Sequence, residues 1–372
     1  MNIGRPTRAY IDLNALDQNL ARVREKTGGT DVLGVVKADA YGHGAVEVAK
    51  RLVEGGVRML GVALVEEGAE LRDSGIDRPI LVLGGFFPEQ ADDIVAYRLS
   101  PAVYTPEQAD ALSSAADRAG VTVPVHLKVD TGMGRVGLTP DEAAVFGVHL
   151  AGLSGITLEG LMTHLSDAGG PDKAFAKSQV DAFLSVYDRL KAAGIEMPFL
   201  HAAGSAAIID FVPACFNIVR PGIMLYGCHP SDHTRGMLDL KPVMSVKTKV
   251  VYIKKIVAGA PVSYGRTWRA GRGSVIATLP IGYADGFSRR LSNCGSVLIG
   301  GRRCPVVGTV CMDLVMVDVT GLDGVDTGSE AVIIGRQGAE EITADEVASL
   351  TGTISYEVLC GISGRVPREY IY

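Results

Sequence analysis

Basic and imidazole side chains follow several apolar runs of the sequence. A lysine amine that loses hydration can act as a nucleophile or base, and an arginine binds a carboxylate or phosphate through paired N–H donors. Each side chain taken singly has an ordinary structural explanation, such as a solvated charge or a buried imidazole. Taken together they predict a cationic pocket for a small anionic ligand, formed by Lys37, Lys128, Arg135, His164 and Arg220.

Eight apolar runs alternate with helix-like segments between about residues 10 and 230, which is typical of strand–helix repeats. Several of those segments begin with Thr-Pro or Pro-Glu and end on glycine. Continuous Val/Ile/Leu runs favour a parallel sheet covered on both faces, and eight units fit a (β/α)₈ barrel better than an open sheet. The carboxyl ends of barrel strands carry the active site. The runs are VLGVV, MLGVALV, ILVLG, LSPAVY, VPVHLKV, LEGLMTH, FLHAA and NIVRPGIML.

The pattern changes after Gly236, where β-rich runs are separated by glycine-containing turns. Only TADEVASLTG in this part is typical of a helix. We therefore predict an α/β protein in which residues 1–235 form the barrel and residues 236–372 form a mostly β domain. The opening segment RPTRAYIDL could either precede the barrel or pair with the second domain.

Charge and composition limit the functional class. The 372 residues include 36 Lys+Arg and 42 Asp+Glu, a formal net charge of −6, which argues against a nucleic-acid partner. The polar start has no signal-peptide core and no apolar run could span a bilayer, so we expect a cytoplasmic protein without membrane association. The cysteines form no CxxC pair, so we expect free thiols and no metal site: Cys215, Cys228, Cys294, Cys304, Cys311 and Cys360.

The sequence closely resembles bacterial alanine racemase, a family of pyridoxal-phosphate (PLP) enzymes of fold type III. The resemblance covers essentially the whole chain, and its motifs occur in the family's order. It implies a PLP-dependent isomerase that interconverts L-alanine and D-alanine and supplies D-alanine for cell-wall peptidoglycan. The motifs are VVKADAYGHG, HLKVDTGMGRVG, LMTH, HAAGSAA, VRPGIMLYG, VSYGRTW, LPIGYADGF, GTVCMDLVMVDV and YEVLCGISGRVPR.

The resemblance assigns the two proton-transfer residues. Lys37 matches the lysine that forms the Schiff base with PLP, and Tyr264 matches the acid/base on the opposite face. By the family's pattern Tyr264 abstracts the α-proton of L-alanine and Lys37 that of D-alanine. Racemisation needs such a pair, because a proton must leave one face of a planar centre and return on the other.

Further matches surround this pair. Arg220 matches the residue that faces the pyridine nitrogen, and a guanidinium, being a donor only, disfavours protonation there. His164 matches the residue that links Arg220 towards Tyr264. Arg135 matches the substrate-carboxylate ligand, with the backbone N–H of Met312. Lys128 matches a lysine that is carbamylated in relatives and orients Arg135.

The cofactor phosphate is also accounted for by the resemblance. Hydroxyl groups and backbone N–H groups at helix starts are suited to binding a phosphate. The matching positions are Tyr41, Ser205, Gly222, Ile223 and Tyr356.

The resemblance implies a homodimer with shared active sites. The matches Tyr264, Cys311, Met312 and Asp313 lie in the second domain, which in the family completes the partner's barrel site. Tyr283 matches a residue that narrows the entrance. A narrow pocket rejects each extra methylene by about 1–3 kcal/mol, so slow racemisation of serine remains compatible with it.

Three positions depart from the family's pattern. Gly169–Gly170 stand where relatives commonly carry an Ala-Asp pair at the entrance, Gly204 replaces a frequent Asn, and Asp39 stands where Asn is common. None of them is part of the Lys37–Tyr264 pair.

Other functions fit the sequence less well. A serine or broad-specificity racemase of the same fold is the nearest alternative. A decarboxylase of this fold type would carry a carboxylate at the pyridine nitrogen, where this chain has Arg220. A non-catalytic PLP-binding homeostasis protein would end after the barrel, without a second domain or Tyr264.

Overall fold

The computed structural model describes residues 4–372. Within this range the chain divides into two compact units. The barrel unit consists of Leu16–Ala40 and Gly44–Lys241. The C-terminal unit consists of the described residues up to Ala15, together with Tyr41–His43 and Pro242–Tyr372.

The N-terminal strand belongs to the C-terminal unit, and the barrel strands follow it in the chain. Eight strands of the barrel unit are parallel, in the order β8-β7-β6-β5-β4-β3-β2-β9. A parallel bridge between Gly204 and Arg220 lies just beyond the two terminal strands, so the sheet is a nearly closed barrel and confirms the predicted fold. The strands are β1 Arg8–Asp12, β2 Asp31–Val35, β3 Met59–Val62, β4 Ile80–Val82, β5 Ser100–Val103, β6 Val123–Lys128, β7 Ile156–Met162, β8 Phe199–His201 and β9 Ile218–Val219.

Helices follow most of the barrel strands, and local sequence explains their ends. Thr105 accepts a hydrogen bond from the Gln108 N–H at the start of one helix, and Gly120 ends that helix with φ 66°. Thr139 and Glu142 form a capping box at the start of another. The helices are α1 Leu13–Thr27, α2 Lys37–Gly42, α3 Ala45–Glu54, α4 Val65–Asp73, α5 Ala91–Ala96, α6 Pro106–Ala119, α7 Pro140–Ala151, α8 Ala174–Ala192 and α9 Ser205–Asp210.

The helical turn α2 is unusual because four successive non-glycine residues, Ala38 to Tyr41, have φ angles of 52–55°. This region is left-handed and costs an L-residue about 1–2 kcal/mol per position. The turn is nevertheless held by tertiary hydrogen bonds, so its conformation is set by the fold and not by residue preference.

The C-terminal unit is built mainly from antiparallel strands, as predicted. Strand β1 lies inside its largest sheet, antiparallel to β10 and parallel to β20, so the opening segment pairs with this unit. The strands are β10 Met244–Lys249, β11 Tyr252–Ile256, β12 Pro261–Val262, β13 Trp268–Arg269, β14 Ser274–Leu279, β15 Ser296–Ile299, β16 Arg302–Pro305, β17 Val315–Asp318, β18 Glu330–Gln337, β19 Glu340–Ile342 and β20 Arg368–Ile371.

Two helices lie near the end of this unit. The predicted one is α10, Ala344–Thr351, and a second, α11, Ser355–Cys360, was not expected from the sequence. Its short span carries no clear helical period. Among residues 4–372, no helix combines the length and the apolar character needed to cross a bilayer.

Candidate active site

Lys37 directly follows the first barrel strand, and the backbone after it is fixed from two sides. The carboxylate of Glu67 on α4 accepts the Ala38 N–H at 2.6 Å and the Ala63 N–H at 2.7 Å. The Ala40 N–H also bonds to the Val36 carbonyl at 2.8 Å. The backbone that carries Lys37 is therefore anchored at the carboxyl end of β2, at the start of a left-handed turn.

Arg220 is buried at the end of β9, with 5% of its surface exposed. Its Nη1 donates to the His201 carbonyl at 2.7 Å and lies 2.9 Å from His201 Nδ1. Its Nη2 donates to the Thr163 carbonyl at 2.6 Å and the Ala202 carbonyl at 3.1 Å. Burial, with Arg135 adding to the effect, lowers the pKa of Arg220 to about 10, so the guanidinium stays charged at neutral pH.

His164 lies beside Arg220, with its Nδ1 3.4 Å from Nη2 of the guanidinium. Burial and then Arg220, Lys128, Arg135 and Lys37 lower the pKa of His164 well below its ordinary value. The imidazole is therefore neutral at neutral pH. These four cations all lie close enough to lower the pKa of His164, so the structure brings the five side chains of the predicted cationic pocket together.

Lys128 is the last residue of β6 and is 4% exposed. Burial, followed by Arg220 and Arg135, lowers the pKa of this amine to about 7. A large fraction of the Lys128 amine is therefore uncharged at neutral pH, which makes it a nucleophile.

The loop after β6 carries Arg135 and is ordered by Asp130. The Asp130 carboxylate accepts the N–H groups of Gly132, Met133 and Gly134 at 2.9–3.1 Å. Burial alone raises the pKa of Asp130, but these three bonds outweigh it, and the net pKa is lowered. Arg135 itself is exposed, so an ordered backbone presents an exposed cation.

Ser205 lies at the start of α9, beyond β8. Its buried hydroxyl accepts the Gly222 N–H at 3.0 Å and the Met224 N–H at 3.4 Å. Ile223, which follows Gly222 and is also buried, begins a short 3₁₀ turn. Hydroxyl and amide groups from two loops thus meet in one corner. The two N–H groups donate to the Ser205 oxygen, and its hydroxyl hydrogen is a donor of the kind that a phosphate accepts.

Tyr264 belongs to the C-terminal unit, and its side chain is 72% exposed there. The preceding Ser263 has φ 64° and the following Gly265 has φ 72°, both in the left-handed region. Thr309 Oγ1 donates to the Tyr264 carbonyl at 3.0 Å, and Ser263 Oγ donates to the Thr309 carbonyl. A strained loop, held by these bonds, projects the phenol outwards from its own unit.

Cys311, Met312 and Asp313 follow in the same unit. Cys311 Sγ lies 3.5 Å from Ser263 Oγ, and the Met312 side chain is 52% exposed. Asp313 accepts a hydrogen bond from Arg365 at 2.7 Å. Tyr283, also exposed, donates its backbone N–H to the Cys311 carbonyl at 3.0 Å. The loop containing Met312 is therefore tied both to the Tyr264 loop and to the Tyr283 turn.

Tyr41 and Tyr356 are neighbours within the C-terminal unit, with ring centroids 6.0 Å apart. Burial raises the pKa of Tyr41, and Tyr356 and Cys360 add to the increase, so the hydroxyl is a donor at neutral pH. The Gly42 carbonyl beside Tyr41 accepts hydrogen bonds from Arg368 at 2.9 and 3.0 Å.

The positions that depart from the family's pattern have local partners. Ser231 Oγ donates to the Gly169 carbonyl at 2.7 Å, and Lys173 Nζ donates to the Gly170 carbonyl at 2.6 Å. Asp39 Oδ1 accepts the Ala45 N–H at 2.7 Å. A Cβ at Gly204 would lie 3.3 Å from His164 Cε1, so glycine leaves the imidazole room.

Sequence reasoning missed several polar residues around the pocket. Glu67, Thr163, His126 and Glu159 carry no motif of their own, and each acquires its role only from a partner far away in the chain. One signal was available for His126, since a histidine within an apolar strand run must find a polar partner when it is buried.

Comparisons with known proteins agree with this geometry. Residues 11–230 match the family model for the alanine racemase N-terminal domain, and residues 243–370 match that for the C-terminal domain. The chain is 49% identical over 369 residues to alanine racemase of Halothermothrix orenii, covering 99% of this chain and 97% of that protein.

Solved structures give the same result. Alanine racemase of Clostridium difficile 630 superposes with a TM-score of 0.95 at 40% identity, covering 100% of this chain and 97% of the other. Alanine racemase of Bartonella henselae, solved with covalently bound pyridoxal phosphate, has a TM-score of 0.89 at 29% identity, with 99% and 100% covered. Both family models and the full-length relatives therefore place this chain in the alanine racemase family, a family of isomerases.

Proposed function

We propose that this chain interconverts L-alanine and D-alanine with pyridoxal phosphate as cofactor, by a two-base mechanism in which Lys37 and Tyr264 act on opposite faces of the substrate. The observation that carries the proposal is the cationic pocket of the barrel unit. Arg220 and Lys128 are both buried there beside His164. A pocket that buries the Arg220 guanidinium beside further basic side chains, with no carboxylate of the described residues paired to it, is suited to an anionic ligand.

The residues present fit a pyridoxal phosphate. We assign the hydroxyl of Ser205 and the backbone N–H groups of Gly222 and Ile223 to the phosphate, with the Gly222 N–H exchanging its bond to Ser205 for one to the ligand. We assign Tyr41 and Tyr356 to the same role. Lys37, at the carboxyl end of β2, is the amine that would hold the cofactor. When bound, pyridoxal phosphate supplies an electron-withdrawing system that acidifies the α-proton of the amino acid.

Arg220 tunes this chemistry. Its four bonds to barrel carbonyls and to His201 use Nη1 and Nη2. The guanidinium can only donate hydrogen bonds, so it would donate to a ring nitrogen beside it. A carboxylate at this position would instead accept a hydrogen bond from a protonated ring nitrogen. This favours simple proton return over side reactions that need a protonated ring. It also argues against the decarboxylase alternative.

The protons move at two atoms, Lys37 Nζ and the Tyr264 hydroxyl. One group removes the α-proton from its face while the other, already protonated, returns a proton to the opposite face. His164 is neutral because of burial and its cationic neighbours. We assign it to link Arg220 to the Tyr264 hydroxyl by hydrogen bonds. Arg135 and the Met312 N–H orient the substrate carboxylate, and Lys128 positions Arg135, in carbamylated form as in relatives.

The exposure of the second unit's residues supports a homodimer with shared sites. Tyr264 is 72% exposed and Met312 52% exposed on the C-terminal unit, although both are assigned to chemistry in a dry pocket. We infer that each C-terminal unit completes the barrel of the partner subunit, with Tyr283 narrowing the entrance, Cys311 and Asp313 supporting the Met312 loop, and Gly169–Gly170 lining the approach. We infer a cytoplasmic enzyme in D-alanine supply for peptidoglycan.

The direct test is chiral chromatography of D- and L-alanine, serine and lysine after incubation with the purified protein. Alanine should racemise fastest. A preference for serine would favour the broad-specificity alternative, and cofactor binding without racemisation would favour the homeostasis alternative.

A Lys37→Ala variant tests the cofactor assignment. The purified protein should carry the visible absorption band of enzyme-bound pyridoxal phosphate, and Lys37→Ala should lose it. Lys177→Ala, at an exposed position on α8, is the matched control and should keep the band. An unchanged spectrum in Lys37→Ala would refute the assignment.

Deuterium exchange tests the roles of the two bases. The enantiomers have equal free energy, so any variant must lower kcat/KM equally in both directions. Tyr264→Phe should nevertheless retain α-proton exchange with solvent from D-alanine, which uses Lys37, while it loses exchange from L-alanine. Equal exchange from both enantiomers would show that Tyr264 is not the base for L-alanine.

A further inference from the structure

A series of buried polar side chains lies behind Arg220 in the barrel unit. Arg220 Nη1 lies 2.9 Å from His201 Nδ1, and His201 Nε2 lies 2.7 Å from His126 Nδ1. Both imidazoles are completely buried, and their rings meet edge to face with centroids 4.9 Å apart. Arg220 directly follows β9, His201 is on β8 and His126 is on β6, so this series exists only when the barrel is folded.

The chemistry of Arg220 sets the direction of every bond in this series. A guanidinium only donates, so His201 Nδ1 is an acceptor. Burial is the main cause that lowers the pKa of both His201 and His126, and Arg220 lowers each further. Glu159 raises the pKa of His126, but burial outweighs it and the net pKa is lowered, so both rings are neutral. The His201 proton is then on Nε2, which donates to His126 Nδ1. The His126 proton is in turn on Nε2.

Glu159 stands at the far end of the series. Its Oε2 lies 3.5 Å from His126 Nε2, within ion-pair distance, and within residues 4–372 neither of these buried atoms has a hydrogen-bond partner. The strand register explains the placement, because Val125 pairs with Leu158 while His126 pairs with Gly160. Glu159 is thus the extra residue of a β-bulge, a device that re-aims a side chain.

Gly160 makes room for this arrangement. It lies on β7, the strand between those of His126 and His201. A Cβ at Gly160 would lie 2.2 Å from His126 Nδ1 and 2.6 Å from its Cε1. Any side chain there would push the ring out of reach of His201. The bulge at Glu159 and the missing side chain at Gly160 are independent features that favour the same hydrogen-bond series.

We propose that His201, His126 and Glu159 are positioning residues for Arg220. The hydrogen bonds from His126 to His201 and on to Arg220, with the Glu159 carboxylate 3.5 Å from the outer imidazole, fix the guanidinium fork towards the ligand. This inference rests on the proposed function for its effect on catalysis. No carboxylate of the described chain lies within ion-pair distance of Arg220. Glu159 faces only the outer imidazole, so any influence of its charge on Arg220 acts by polarising His126 and, through the hydrogen bond between the rings, His201. Loss of the His201 ring would leave Nη1 with only its bond to the His201 carbonyl, and loss of the His126 acceptor would let the His201 ring reverse.

The test compares holoenzyme variants of His126. His126→Phe keeps a ring of similar size but removes the acceptor for His201, whereas His126→Asn keeps an oxygen near the position of Nδ1. Residues that orient a primary ligand typically cost 10–100-fold when removed. We expect kcat for alanine to fall about tenfold in His126→Phe, with KM changed less than kcat, and to recover in His126→Asn.

Two readouts separate positioning from a merely structural role. Two-bond ¹⁵N–¹H spectra of histidine-labelled protein should show His201 in a single Nε2–H tautomer in the wild type and His126→Asn, and a tautomer mixture in His126→Phe. The fraction of turnovers that end in abortive transamination should rise in His126→Phe, because a displaced Arg220 no longer keeps the ring nitrogen unprotonated.

Glu159→Gln provides a second variant at a part-exposed position, with Glu196→Gln, an exposed loop carboxylate, as its matched control. We expect a smaller loss of kcat in Glu159→Gln and none in the control. The inference is overturned if His126→Phe and Glu159→Gln both keep the wild-type kcat and a single His201 tautomer. An inactive wild-type protein would instead refute the proposed function, and the tautomer spectra would still decide the hydrogen-bond series.

Discussion

Replacing Lys128 with methionine should stabilise the protein at neutral pH, although Lys128 lies in the proposed active site. The methionine side chain retains most of the apolar stem and removes the amine. Lys128 is 4% exposed and faces Arg220 and Arg135. The folded protein therefore pays to bury a cation beside two others.

The pKa of Lys128 gives the size of the effect. Burial and the neighbouring cations lower it from 10.5 to about 7. At about 1.4 kcal/mol per tenfold change, this difference corresponds to about 5 kcal/mol as an upper limit. At low pH, Lys128→Met should therefore raise the free energy of unfolding by several kcal/mol, reduced by any cost of packing the new side chain.

The pH dependence distinguishes this cause from better packing. Between about pH 7 and pH 10.5 the unfolded chain holds the lysine proton and the folded chain does not, so wild-type stability rises with pH across this window. Below about pH 7 the penalty is complete. The advantage of Lys128→Met should accordingly be largest below neutral pH and should shrink towards zero as the pH approaches the unfolded pKa.

Urea unfolding followed by circular dichroism measures this advantage, at one fixed protomer concentration and in buffers free of carbon dioxide. A gain that does not change with pH, or no gain at all, would show that the Lys128 amine carries no burial penalty. Adding bicarbonate gives a second check. If the amine is carbamylated, bicarbonate should stabilise the wild type and leave Lys128→Met unchanged, because an anion would then lie between the two arginines.

Three further outcomes are expected. An equal mixture of Lys37→Ala and Tyr264→Phe subunits should recover up to about one quarter of the total wild-type activity. Random pairing makes about half of the dimers heterodimers, and one of the two sites in each heterodimer is intact; no recovery would contradict shared sites. Gly42→Ala should cost more stability than Gly120→Ala by over about 1 kcal/mol in thermal unfolding, since both glycines have positive φ but only at Gly42 would the new Cβ strike a backbone carbonyl. Thr309→Val should slow alanine racemisation about fivefold without lowering the unfolding temperature by more than a few degrees, because it removes the hydrogen bond from the Thr309 hydroxyl to the Tyr264 carbonyl; a stable variant with full activity would show that this bond does not position the phenol.

Local sequence determined the barrel and most of its rim. Continuous apolar runs are buried on both faces in a parallel sheet, so they predicted all eight barrel strands, and Thr-Pro starts with glycine ends predicted helices such as α6 and α7. Because a residue that follows a strand lies at the carboxyl end of the barrel, the positions of Lys37 and Arg220 in the sequence already placed them at one rim.

Tertiary structure decided what local preference could not. The left-handed turn after Lys37 runs against the preferences of four non-glycine residues and depends on Glu67, 29 residues away from Ala38. The place of β1 between β10 and β20 likewise depends on pairing with strands at the other end of the chain.

The hydrogen bonds behind Arg220 show the same limit. His126 and His201 are 75 residues apart, and their contact requires a missing side chain at Gly160 and an extra residue at Glu159 on the strand between them. The sequence by itself determines which residues are apolar, charged or able to end a helix. Only the closed barrel decides which buried polar groups meet, because each must find a partner once water has been excluded.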